Sequence, residues 1–200
     1  MTGFINPSLP HHAYVRRMDT PTPDLPHLTT ALGAVCDRLP ASAWEQPSPC
    51  EGWTARDVLR HVVDTERDFL DQRGVPLPAV DLDADPAVAW RTHAAALTRA
   101  LADPAVAGLE YDGHFGRTTV GDTVLRFYGF DLVVHRWDIA TAAGLDERLT
   151  DAELAFAEAC AAGFGEALHA EGICRPGVTA PAGADRQTRL LALLGRTPPH

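Results

Sequence analysis

The sequence predicts an all-α protein, an antiparallel four-helix bundle, on three observations. Long segments carry apolar residues at helical spacing, no series of alternating residues makes a credible sheet, and no segment repeats another. With 200 residues, 46% hydrophobic and 22% charged, the chain is long enough to bury one core without disulfide support. A single domain is expected over 24–198. Residues 1–23, rich in Pro and His and without periodicity, read as an extended arm.

The first helix is expected in DLPHLTTALGAVCDRLP, where Leu25, Leu28, Leu32, Val35 and Leu39 share a face and Pro40 ends the run. After the turn PSPCEGW, the segment TARDVLRHVVDTERDFLDQRG opens with Thr54 and Asp57 in capping-box spacing and closes at Gly74. The third helix, DPAVAWRTHAAALTRALADP, starts with Asp85 as cap and Pro86 in the first turn, and stripes Trp90, Ala94, Leu97 and Leu101. Between Pro104 and Gly121 the Gly-bearing stretch EYDGHFGRTTVGD predicts a short hairpin or loop at one end of the bundle, placed as a lid.

The fourth helix is expected from Val120 to Ala143, with Val124, Tyr128 and Ile139 on a stripe that Asp131 and His135 also occupy. A fifth, TDAELAFAEACAAGFGEALHA, has Thr150 and Glu153 as a capping box and Leu154, Ala157, Ala161, Phe164 and Leu168 at helical spacings. The closing TRLLALLGRTP is a short extra helix that caps the bundle.

Composition excludes several chemistries. Seventeen basic residues against 27 acidic ones leave a net charge of -10, which repels a phosphate backbone, so no nucleic-acid partner is expected. All 17 basic residues are Arg, which removes Schiff-base chemistry and a lysine-bearing phosphate loop. The only serines, Ser8, Ser42 and Ser48, lie outside any G-x-S-x-G turn.

Cys36, Cys50, Cys160 and Cys174 are too scattered for a C-x-x-C clip, and Cys36 and Cys160 read as small buried hydrophobes of a reducing cytoplasm. No stretch reaches the roughly 18 apolar residues of a membrane span, and the N-terminus lacks a signal-peptide core. A cytoplasmic protein without a membrane partner is expected. An apolar helix face would serve a homodimer, although the bundle core needs the same pattern.

One polar set stands out. His61 shares a stripe with Val58, Val62, Thr65 and Phe69, where an amphipathic helix would carry another aliphatic residue. In FDLVVHRWD, Asp131 and His135 are four apart and project from one helical face. A lone histidine on an apolar face is commonly a satisfied core group, and an Asp with a His at i+4 is commonly a plain hydrogen-bonded pair. Taken together, two imidazoles and a carboxylate on inward stripes are costly to bury without a partner, and a divalent cation is the simplest one.

His93, between Trp90 and Leu97, could join or replace a member of this set; His114 could cover it from the loop. Asp57 and Asp64, one turn on either side of His61, could orient its second ring nitrogen, although capping and solvation explain both acids equally well.

At these residues the chain resembles a known family. SPCEGWTARDVLRHVV resembles the "CPGWT.RDLL.H" start of mycothiol-dependent maleylpyruvate isomerase N-terminal domains, part of the DinB-like metal-binding superfamily. FDLVVHRWDIATAAGL is similar to the family's later "LLVH-x-WDLA" helix, and DRQTRLLALLGRTP is similar to the tail of its single-domain actinobacterial members. The resemblance implies a DinB-like four-helix bundle whose divalent metal is bound by His61, Asp131 and His135, the same three residues. Asp131 stands where the family's isomerases carry Glu, one methylene longer. A counterpart of the isomerase's C-terminal domain is not expected within these 200 residues.

The expected function is therefore a divalent-metal-binding protein, with zinc first and nickel or iron as alternatives, that uses mycothiol as cosubstrate. It would act as a transferase or isomerase on a small electrophilic substrate, with Arg117 or Arg126 as candidates to pair with a substrate carboxylate. The alternative is a non-catalytic metal- or ligand-binding protein of the same fold.

Overall fold

The computed structural model describes residues 23–170 and 174–197. The expected N-terminal arm falls almost wholly outside the described residues. The described chain is mainly helical, with one two-stranded sheet. No helix among the described residues is long and apolar enough to cross a membrane.

Helix α1 spans Leu25–Cys36, capped by Asp24, whose carboxylate accepts from the His27 N–H, with a proline in the first turn. After a 3-10 turn at Ala41–Glu45, α2 spans Ala55–Asp71 with the Thr54 and Asp57 capping box in place. Helix α3 spans Pro86–Leu101, capped by Asp85. A single turn, α4 (Pro104–Ala107), leads into β1 (Glu110–Gly113) and β2 (Gly116–Thr119), which form a hairpin where the sequence predicts a short hairpin or loop, with Glu110 opposite Thr119 and Gly113 opposite Gly116.

The stretch expected as one helix from Val120 to Ala143 is helical but not uniform. It runs as α5 (Val120–Thr123), a wider π turn at Val124–Tyr128, and α6 (Gly129–Ala142). The wide turn changes the face presented to the interior. Before it, Val120 and Val124 pack with Phe69, Leu70 and Leu97 in a small cluster near the hairpin; after it, Leu132, Val133 and Ile139 enter the main core. Gly129 marks the switch, because a Cβ there would meet Leu28 Cδ1 at 3.1 Å and a Phe156 ring carbon at 3.4 Å.

The fifth predicted helix is α-helical only over Asp151–Phe164 (α7); Gly165, at φ 55°, turns the chain into a 3-10 segment through His169. Helix α8 spans Arg186–Leu193.

Helices α1 and α2 each pack against both α3 and α6, α7 lies on α6, and α8 lies on α7. Leu28, Leu32, Val58, Leu59, Val62, Trp90, Val133 and Ile139 fill the centre, all at or below 1% exposed. Each such side chain contributes about 1.5–3 kcal/mol from lost apolar surface. The tryptophan's polar atom is satisfied too, since Trp90 Nε1 donates to the Thr29 carbonyl at 3.1 Å. Arg136 and Glu153, both buried, tie α6 to α7 through bonds of 2.5 and 2.9 Å. The packing of α2 against α6 brings His61 to face the polar residues of α6.

Candidate functional site

His61 reaches inward from α2, and Asp131 and His135 from α6 lie one turn apart. One ligand atom from each converges so that all three lie within 4.8 Å of one another. The two imidazole rings stand edge to face at 5.3 Å and 82°, and Trp53 tilts over the outer side of His61 at 5.0 Å. No hydrogen bond from another described residue reaches the His61 ring or the Asp131 carboxylate.

The three differ electrostatically. Burial, helped by the neighbouring His135, pulls His61 down to about 4, so its ring is neutral at pH 7. Burial also raises the Asp131 carboxyl, opposed by His135 and Arg196. For His135, burial works against the charged ring, but bonding to Asp138 and Cys50 and the charges of Asp138 and Asp131 carry it up to about 10.

Behind His135 is a closed polar cluster. His135 Nδ1 donates to Asp138 at 2.9 Å, leaving Nε2 for the side where His61 and Asp131 lie. Fully buried Asp138 also accepts from Arg196 Nε at 3.2 Å and Nη2 at 2.8 Å, and from the Cys50 thiol at 3.3 Å. Burial alone would raise Asp138, yet His135 and Arg196 hold it at about 2.

Cys50, His135 and Asp138 also bring ligand atoms within 4.8 Å. That set already contains its cation, because the Arg196 guanidinium contacts both Asp138 and Cys50. The set of His61, Asp131 and His135 has no such arginine contact among the described residues.

Both histidines open onto a cavity of about 490 Å³, whose wall includes Cys50, Trp53, Cys174 and Arg196. His169, given no role by sequence, also lines it, its Nδ1 bonded to the Arg175 carbonyl at 2.9 Å. The hairpin does not line this cavity: Tyr111 packs on Phe69, and His114 meets Phe115 edge to face in the exposed turn. The expected lid is therefore a brace for the far end of α2. Its Arg117 is exposed and paired with Glu110 and Asp112, while Arg126 lies over Phe115, Phe127 and Phe164, so neither candidate faces the cavity.

His93 is not part of the set either, for its Nε2 meets Glu66 at 2.6 Å in a fully buried pair. Asp57 is consumed by its cap, where the Thr54 backbone N–H and hydroxyl lower its pKa, and exposed Asp64 lies near Arg67. Neither acid orients His61.

A family model, the mycothiol maleylpyruvate isomerase N-terminal domain, matches residues 25–140. The chain belongs to this family. No curated protein and no solved structure matches it. The mycothiol maleylpyruvate isomerase N-terminal domain match spans His61, Asp131, His135 and Asp138 and ends before Cys174 and Arg196.

Cys50, Asp138 and Arg196 were not singled out by sequence. Asp138 had a local signal, since an acid three residues after a helical histidine shares its face. Cys50 and Arg196 come from distant turns, and nothing in their own spacing joins them to His135.

Proposed function

We propose that this chain is a divalent-metal-binding protein of the DinB-like antiparallel four-helix type, one domain over 24–198, in which His61, Asp131 and His135 hold the ion. One observation carries the proposal: two imidazoles and a carboxylate from two helices bring ligand atoms within 4.8 Å beside a cavity, with no other described residue hydrogen-bonding to the His61 ring or to Asp131. The donor set suits zinc first, and nickel or iron as alternatives. Asp131 carries a short carboxylate, and its place on α6 one turn before His135 supplies the reach.

The activity we propose is transfer or isomerisation of a small electrophile with a low-molecular-mass thiol, mycothiol, as cosubstrate. When bound, the ion supplies Lewis acidity and lowers the pKa of a coordinated thiol. The protein's own contribution is positional. Asp138 fixes the His135 ring through Nδ1, and Arg196 neutralises Asp138 so that this carboxylate does not compete as a ligand. Trp53 walls the outer side of His61, and a cavity of about 490 Å³ admits a small molecule.

The test is ion content after reconstitution with zinc, nickel or iron, for wild type and for His61→Ala, Asp131→Ala and His135→Ala. One ion per chain in wild type and little in each variant is expected. Equal, negligible content in all four would end the proposal. Thiol titration of a cobalt-loaded chain then tests the cosubstrate: a changed visible spectrum is expected, and an unchanged one would leave a binding protein without thiol chemistry.

A further inference from the structure

Four cysteines occur, and they divide by position. Cys36 and Cys160 are buried in α1 and α7, where burial raises both thiols, Cys160 to about 12. Cys50 and Cys174 lie outside the helices, are half-buried, and both open onto the cavity.

Two contacts hold their segments together. Arg196 donates from Nη2 to Cys50 Sγ at 3.6 Å, and its charge opposes the burial that raises the Cys174 thiol. The next residue along each segment is joined as well, since Arg175 Nη1 lies 3.2 Å from a Glu51 carboxylate oxygen. Against the turn that follows α8, the 174–176 stretch packs closely enough that a Cβ on Gly195 would meet Arg175 Cβ at 2.8 Å and the Pro176 carbonyl at 3.0 Å. Two half-buried sulfurs therefore line one cavity wall together with Arg196, which contacts Cys50 directly.

We infer that Cys50 and Cys174 form a dithiol site that closes to an intramolecular disulfide by exchange with a low-molecular-mass disulfide. One protein sulfur, as thiolate, attacks the small disulfide and releases the first small thiol. The second protein sulfur attacks the first, breaks the mixed disulfide and releases the second small thiol. Both protein thiols are oxidised, the small disulfide is reduced to two thiols, and the two protein protons leave with them. Closure requires Arg196 to give up its contact with Cys50 Sγ, and the new bond ties 174–176 to the turn at 49–53 across the wall beside His61 and His135. The inference rests on the thiols alone and needs no ion in the neighbouring site.

The experiment equilibrates the reduced full-length chain with oxidised glutathione, then labels remaining thiols with N-ethylmaleimide in denaturant for intact-mass and peptide analysis. The expected result is loss of label from two of the four cysteines and a Cys50 to Cys174 cross-linked peptide. The same cross-link is expected in Cys36→Ser/Cys160→Ser, and none in Cys50→Ser. Four labelled thiols at every glutathione ratio, glutathione adducts without a cross-link, or a bond only between chains would each overturn it. Metal content is measured separately, so failure here does not bear on the ion.

Discussion

His135 Nδ1 and Asp138 Oδ2 lie 2.9 Å apart within one turn of α6, and this contact sets which ring nitrogen faces His61. Asp138 is fully buried and also bonded to Arg196, so the His135 ring is held by a carboxylate that is itself held. Carboxylates in this position raise the basicity of a ligating imidazole and fix its orientation.

Asp138→Asn keeps the shape but removes the charge. Zinc affinity, measured by competition with a chromophoric chelator, is expected to fall about 10–100-fold. Unchanged affinity would show that Asp138 does not support the ligand.

Glu153 governs part of the acid stability. Burial alone would raise its carboxyl, but Arg136 and the Thr150 backbone N–H lower it from 4.5 to about 2. A carboxyl depressed on folding stabilises the native state above its unfolded value, and that contribution is lost as pH falls from about 4.5 toward about 2. Glu153→Gln is therefore expected to cost on the order of 1–3 kcal/mol at pH 7 and progressively less below pH 4.5. Urea unfolding at several pH values measures this, and a gap that stays constant down to pH 2 would contradict it.

Glu66 and His93 bond at 2.6 Å in the core, with Glu66 Oε1 and His93 Nδ1 left without partners among the described residues. Burial raises the Glu66 carboxyl, which His93 opposes. His93→Leu leaves that carboxyl alone and is expected to cost about 2–4 kcal/mol. The double variant Glu66→Leu/His93→Leu is expected to be more stable than His93→Leu, as a chemical-denaturation cycle would reveal. Additive losses would mean the two groups do not depend on each other.

Gly129→Ala places a Cβ 3.1 Å from Leu28 Cδ1 at the junction of the π turn and α6. An overpacking cost of about 1–3 kcal/mol is expected. Because Asp131 is two residues on, weakened ion binding should accompany the loss; a variant as stable as wild type would show that α1 yields freely there.

Much of the architecture could be read locally. Thr54 with Asp57, Asp85 before Pro86, and Thr150 with Glu153 marked helix starts because a cap needs only neighbours in sequence. The hairpin was visible in EYDGHFGRTT for the same reason. The π turn was not, because it answers to the approach of α6 to Leu28 and Phe156, which no local period encodes. The lid expectation failed similarly, since a loop's place in the sequence does not say which end of a bundle it covers.

By itself the sequence determined the all-α class, the family, and the three inward polar residues His61, Asp131 and His135, because helical period and motif order are properties of a linear chain. Only the tertiary structure decided that these three converge, that His93 is taken by Glu66, and that Cys50, Asp138 and Arg196 close around the back of His135. The physical reason is distance along the chain: contacts between remote segments depend on how whole helices pack, and that packing is set by the core as a whole rather than by any single motif.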